Sequence, residues 1–131
     1  MPPADPTNPQ TWIARAYSNL HLAESGRGKD VMLEDLCFNT QQAAEKALKA
    51  VCLFKGLEFP RTHYIVRLLD ILEMSGVVIS TAIKSADILS QYAVQTRYPG
   101  TLEEITPNEY EEALALAAKV VFWADNLVSG R

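Results

Sequence analysis

Apolar residues recur along this chain at intervals of three and four, the period of a helix with one buried face, and no segment shows the strict alternation of a half-buried strand. Asn8-Pro9 marks a helix start, because Asn caps free N–H groups and Pro at the first helical position gives up a donor that has no partner. From there Ile13, Ala16, Leu20 and Ala23 form a stripe flanked by Trp12 and Tyr17, and Ser25-Gly26-Arg27-Gly28 ends it. Asp30 offers the cap of a second helix running to about Lys55, where Gly56 stops it. At about 1.5 Å per residue it is nearly 40 Å long, the spine of the fold. Its apolar positions are Leu33, Leu36, Cys37, Ala44, Ala47, Leu48, Val51 and Cys52, small where a neighbouring helix must come close.

Gly56-Leu57-Glu58-Phe59-Pro60 breaks the pattern, and Thr62 offers the cap of a third helix carrying Ile65, Leu68, Leu69 and Leu72 up to Gly76. A fourth starts near Ser80, places Ile83, Ala86, Leu89 and Ala93 on one side, and runs to Pro99-Gly100. The last has the strongest start signal. Thr106-Pro107-Asn108-Glu109 combines a capping box with Pro at the first helical position, and Tyr110, Ala113, Leu114, Ala117, Val121, Ala124 and Leu127 follow at helical spacing. Four to five amphipathic helices with short connections predict an all-α, antiparallel up-and-down bundle over residues 9–128, after a loose, proline-rich N-terminus at 1–8.

Composition narrows the function classes. At 131 residues and 48% hydrophobic the chain can close a core without disulfides or metal. Its longest apolar stretch, Ala113 to Ala118, is far short of a membrane span, and the N-terminus lacks the order of a signal peptide, so a cytoplasmic protein is expected. Cys37 and Cys52 lie in apolar helical surroundings and read as buried reduced thiols rather than metal ligands; no cofactor is implied. A net charge of −4 argues against a dedicated duplex-binding face but leaves room for a local basic patch.

No phosphate-binding glycine loop, nucleophile elbow or HExxH motif is present. The unusual polar residues fall instead near helix ends. Lys46 and Lys49 lie in the second half of the long helix, Arg61 and His63 open the third, and Arg97 with Tyr98 closes the fourth; these could share a rim at one end of the bundle. Such a rim suits a phosphate or an acidic partner. Two readings stay open: a binding surface, or arginines paired with Glu45 or Glu58 to pack the connections. Lys46 and Lys49, three apart, either face one anion or line a solvated face. Gln41 and Gln42 read as ordinary helix formers rather than members of a polar layer. Phe38, Phe54, Val120, Phe122 and Trp123 exceed one apolar stripe and suggest a second packing surface.

Gln41-Gln42-Ala43-Ala44-Glu45-Lys46-Ala47-Leu48-Lys49-Ala50, then Pro60-Arg61-Thr62-His63, then Thr96-Arg97-Tyr98-Pro99, together with the Trp12 to Ala23 spacing, closely resemble the HEPN domain (higher eukaryotes and prokaryotes nucleotide-binding) from about Trp12 to Leu127. The resemblance implies a helical bundle, usually a homodimer, with small prokaryotic members often encoded beside a minimal nucleotidyltransferase in a toxin–antitoxin-like pair. Many such toxins are metal-independent ribonucleases with an R-x(4–6)-H motif in a later helix, His in acid–base work and Arg on the phosphate. This chain departs from that pattern. Its one match, Arg15 to His21, lies in the first helix, and six positions at about 100° each set the two side chains about 120° apart. The residues carried over by resemblance are therefore Lys46, Lys49, Arg61, His63, Arg97 and Tyr98, as a nucleotide, phosphate or partner surface. The expected function is a binding and interaction module, with a ribonuclease using His63 or Arg15 and His21, or a purely structural dimerisation domain, as alternatives.

Overall fold

The computed structural model describes residues 5–28, 30–94 and 104–130. Its helices are α1 (Pro9–Ser25), α2 (Leu33–Phe54), α3 (Ile65–Met74), α4 (Thr81–Lys84), a 3₁₀ segment (Ser85–Ser90), α5 (Gln91–Val94) and α6 (Pro107–Ser129), and no strand occurs among the described residues. The all-α bundle expected from the sequence is observed. Arg97 and Tyr98 lie outside the described residues.

Local signals placed most of the ends. Asn8 Oδ1 accepts from the Gln10 N–H and Thr106 Oγ1 from the Glu109 N–H, with Pro9 and Pro107 each opening its helix. Gly56 stops α2 with φ +70°, a conformation cheap only for glycine, while the Leu57 N–H reaches the Cys52 carbonyl and the Gly56 N–H the Leu53 carbonyl. Two starts differ from the sequence reading. Helix α2 begins at Leu33 after an uncapped Met32, not at Asp30, and α3 begins at Ile65. Thr62 instead accepts the Tyr64 N–H in a turn.

The predicted fourth helix is interrupted, because its middle is 3₁₀. In that geometry residues three apart eclipse, so Asp87 and Ser90 point the same way. Ser90 Oγ accepts the Ile65 N–H at 2.8 Å and Asp87 Oδ1 the Val66 N–H at 3.0 Å, and α3 is thus capped from outside its own sequence.

Helix α2 is the spine, buried almost all round and packed along both α1 and α6. Ala43, Ala44, Ala47 and Ala50 are fully buried, as are Ala16 and Ala23 of α1 and Ala117 and Ala124 of α6, so the backbones approach closely. Contacts set the directions: Trp12 lies by Lys49 and Asn19 by Asn39, while Ala23 meets Tyr110 and Tyr17 meets Asp125. Helix α1 is therefore antiparallel to α2 and α6. Cys37 and Cys52 are both buried, and burial pushes the Cys52 thiol up to about 11. Val120, assigned to an outer surface by the sequence reading, is fully buried because α6 turns that flank toward α2; Trp123 packs half-buried on the core. No described helix is long and apolar enough to cross a membrane.

Candidate functional site

After α2 the chain does not go straight into α3. Residues 56–64 run back along α2, with Phe59 beside Lys49 and His63 beside Glu45 and Gln41. Of the polar residues expected at one end of the bundle, Lys49, Arg61 and His63 therefore meet along its flank.

Gln41, Glu45 and Lys49 recur every four residues and form one buried polar stripe along α2. Gln41 is fully buried; its Nε2 donates to Glu45 Oε1 and to the His63 carbonyl, both at 3.0 Å, and its Oε1 accepts from Gln42 Nε2 at 2.7 Å. The glutamines thus form a polar layer, contrary to their sequence reading. Glu45 Oε2 accepts from Lys49 Nζ at 2.8 Å, and Glu45 Oε1 lies 2.9 Å from His63 Nδ1. Burial pushes the Glu45 carboxyl up, but bonds from Lys49, Gln41 and His63 outweigh it and hold the group below its ordinary value. An ionised carboxylate can only accept, so His63 Nδ1 carries the proton. That leaves Nε2 unengaged among the described residues, on a side chain 60% exposed.

Lys49 Nζ also lies 5.8 Å from the ring centres of both Trp12 and Phe59. These rings meet edge to face at 6.4 Å, and Trp12 Nε1 donates to the Pro6 carbonyl at 2.7 Å. Together Trp12, Lys49, Phe59, Arg61, Thr62 and His63 line a cleft of about 610 Å³. Arg61 is exposed on its rim and has no ion pair among the described residues. Its pairing with Glu45, one of the two readings of the rim, does not occur, because Lys49 and His63 hold that carboxylate.

The remaining candidates go elsewhere. Lys46 is engaged apart from Lys49: its Nζ donates to Asn19 Oδ1 of α1 at 2.7 Å. Burial and the nearby Arg15 and Lys49 charges, only partly offset by Glu45, keep Lys46 below the ordinary lysine value. Arg15 lies on the Lys46 side of α1, whereas His21 stacks on Tyr17 at 6.2 Å, and Tyr17 in turn lies 6.2 Å from Phe122 of α6. The first-helix Arg and His are not brought together. Among the described residues no group of three or more His, Cys, Asp or Glu is placed to hold a metal.

Sequence reasoning named Lys49, Arg61 and His63 but missed Gln41, Gln42, Trp12 and Phe59, and took Glu45 for an arginine partner. The available signal was the four-residue spacing of Gln41, Glu45 and Lys49 along the long helix.

A helical bundle of this element order defines the class. The HEPN domain family model matches residues 9–127, and the chain belongs to the HEPN domain family. Among solved structures it is similar to TT1696 from Thermus thermophilus, with 31% identity, a TM-score of 0.78 and coverage of 90% of this chain and 96% of that one. It also shares its fold with ST0689, an archaeal HEPN homologue, at 24% identity, a TM-score of 0.75 and coverage of 92% and 98%. No protein of curated function matches it.

Proposed function

We propose that this HEPN-domain protein is a binding and interaction module whose cleft holds a nucleotide or RNA phosphate without chemistry of its own, and that it acts as a homodimer beside a minimal nucleotidyltransferase in a toxin–antitoxin-like pair. The binding part rests on one observation. In a protein of net charge −4, Arg61 stands without an ion pair among the described residues, on the rim of an aromatic-walled cleft that also presents Lys49 and His63. A guanidinium and an imidazole suit a phosphate, and the Trp12 and Phe59 rings suit a base. The dimer and the nucleotidyltransferase pairing draw on the resemblance to small prokaryotic family members.

Calorimetry with AMP tests the cleft. Arg61→Ala weakens binding by about tenfold or more, the loss of one charged hydrogen bond, with the thermal midpoint unchanged. Equal loss of binding and stability would mark Arg61 as a packing residue, and wild-type protein that ignores AMP would leave a structural dimerisation domain.

A ribonuclease is the second reading, and the Glu45 contact to His63 favours it. A carboxylate that holds Nδ1 orients Nε2 as a base toward a ribose 2′-OH, with Arg61 on the phosphate. Purified protein is incubated with RNA and EDTA beside His63→Ala and His21→Ala. Cleavage lost only in His63→Ala establishes this activity, and intact RNA in every lane removes it.

A further inference from the structure

The polar groups of the cleft narrow the chemistry of what it holds. Buried Glu45 takes donors on both oxygens, Gln41 Nε2 and His63 Nδ1 on Oε1 and Lys49 Nζ on Oε2. With its proton on Nδ1, a neutral His63 ring turns a lone pair outward on Nε2. Gln41 holds the same residue a second way, through the His63 carbonyl at 3.0 Å, so ring and backbone are both tied to α2.

The other lining side chains mainly donate. Lys49 is matched in charge by Glu45, while Arg61 has no ion pair among the described residues. Thr62 Oγ1 accepts the Tyr64 N–H, which leaves its O–H to give, and the Trp12 N–H is taken by the Pro6 carbonyl. The cleft thus sets one uncompensated cation beside one strong acceptor, His63 Nε2. The charged groups facing the ring are Glu45 and Lys49 of α2, which cancel, and Arg61 of its own segment; α1 contributes Trp12, which does not titrate, and Asp87 of the 3₁₀ segment is turned to the Val66 N–H.

A phosphodiester is a monoanion with no proton to give, so its oxygen lone pairs meet the lone pair of a neutral Nε2. It draws a proton onto the ring for a single negative charge in return. A phosphomonoester carries up to two charges and ionises for the second time near pH 6, in the range where histidine changes charge. One proton held between the two leaves a dianion against an imidazolium and a guanidinium, and the charges balance.

We infer that the cleft selects the terminal phosphomonoester of a nucleotide over a phosphodiester, holding one proton between His63 Nε2 and a phosphate oxygen while Arg61 takes the other oxygens. This inference rests on the cleft reading above and names its ligand class.

The test is calorimetry at about pH 7.5, where a free phosphomonoester is mostly dianion, in two buffers of different ionisation enthalpy. AMP is compared with 3′,5′-cyclic AMP, which has the same base and sugar but a diester, and with adenosine and ribose 5-phosphate. The variant is His63→Asn, whose amide stands in for Nδ1 toward Glu45 and puts nothing in the place of Nε2. Wild type binds AMP about tenfold more tightly than cyclic AMP, the worth of one charge-assisted hydrogen bond, and takes up close to one proton per AMP. His63→Asn keeps its thermal midpoint, binds the two nucleotides alike and takes up no proton. Equal affinity of wild type for AMP and cyclic AMP, AMP bound without proton uptake, or uptake that persists in His63→Asn each overturns the inference, and the cleft reading survives. Adenosine held as tightly as AMP, or none of the four ligands held, overturns both. Ribose 5-phosphate held as tightly as AMP would make this a site for any phosphomonoester and overturn the nucleotide in both.

Discussion

Glu45 is the residue on which the site turns. Its buried carboxylate takes Lys49, Gln41 and His63 at once, and a buried charge without such partners would be too costly to keep. Glu45→Ala leaves Lys49 unpaired and is expected to cost about 3 kcal/mol in denaturant unfolding. Acid dependence follows from the direction of the carboxyl shift. Because the folded group lies below its ordinary value, the unfolded chain binds more protons in the acid range. The stability that Glu45 contributes is fully present above the unfolded value and is lost as pH falls through the folded one. Wild type should therefore lose stability more steeply than Glu45→Gln between about pH 5 and pH 3; parallel profiles would show that the three partners do not favour the charged form.

Among the elements, α3 depends most on its surroundings. Its first turn has no cap in its own sequence, and Ser90 with Asp87 supply it from the 3₁₀ segment. Ser90→Ala is expected to lower stability by about 1 kcal/mol, the usual worth of a cap, without changing helix content by circular dichroism. A matched Ser85→Ala, whose hydroxyl bonds the Thr81 carbonyl on the exposed side, should change little. In a regular α-helix Asp87 and Ser90 would lie about 60° apart around the axis; the 3₁₀ turn brings them into line toward the start of α3.

For the molecule as a whole, the expected homodimer has a testable surface. Phe38, Phe54 and Phe122 stay 43%, 47% and 52% exposed, and Phe122 joins Tyr17 and His21 in a continuous aromatic patch across α1 and α6. That patch is the stronger interface candidate, since among the described residues the other two have no aromatic neighbour across helices. Light scattering at tens of micromolar should give a dimer mass, and Phe122→Asp should give a monomer of unchanged thermal midpoint. A wild-type monomer would remove the dimer from the proposed function.

The sequence by itself determined the helices, most of their ends and most of the core. Asn8-Pro9, Thr106-Pro107 and Gly56 act within one turn of themselves, and the stripes from Ile13 to Ala23 and from Tyr110 to Ala124 need only the helical period to be read. It also marked Lys49, Arg61 and His63, whose residue types stand out against an apolar background. Only the tertiary structure decided what they do together. The site depends on the path of residues 56–64 back along α2, which sets His63 on Glu45 and leaves Arg61 without a carboxylate among the described residues. A helix end is written in neighbouring residues; a contact between chain-distant residues is set by how the helices pack, and local periodicity carries no record of that.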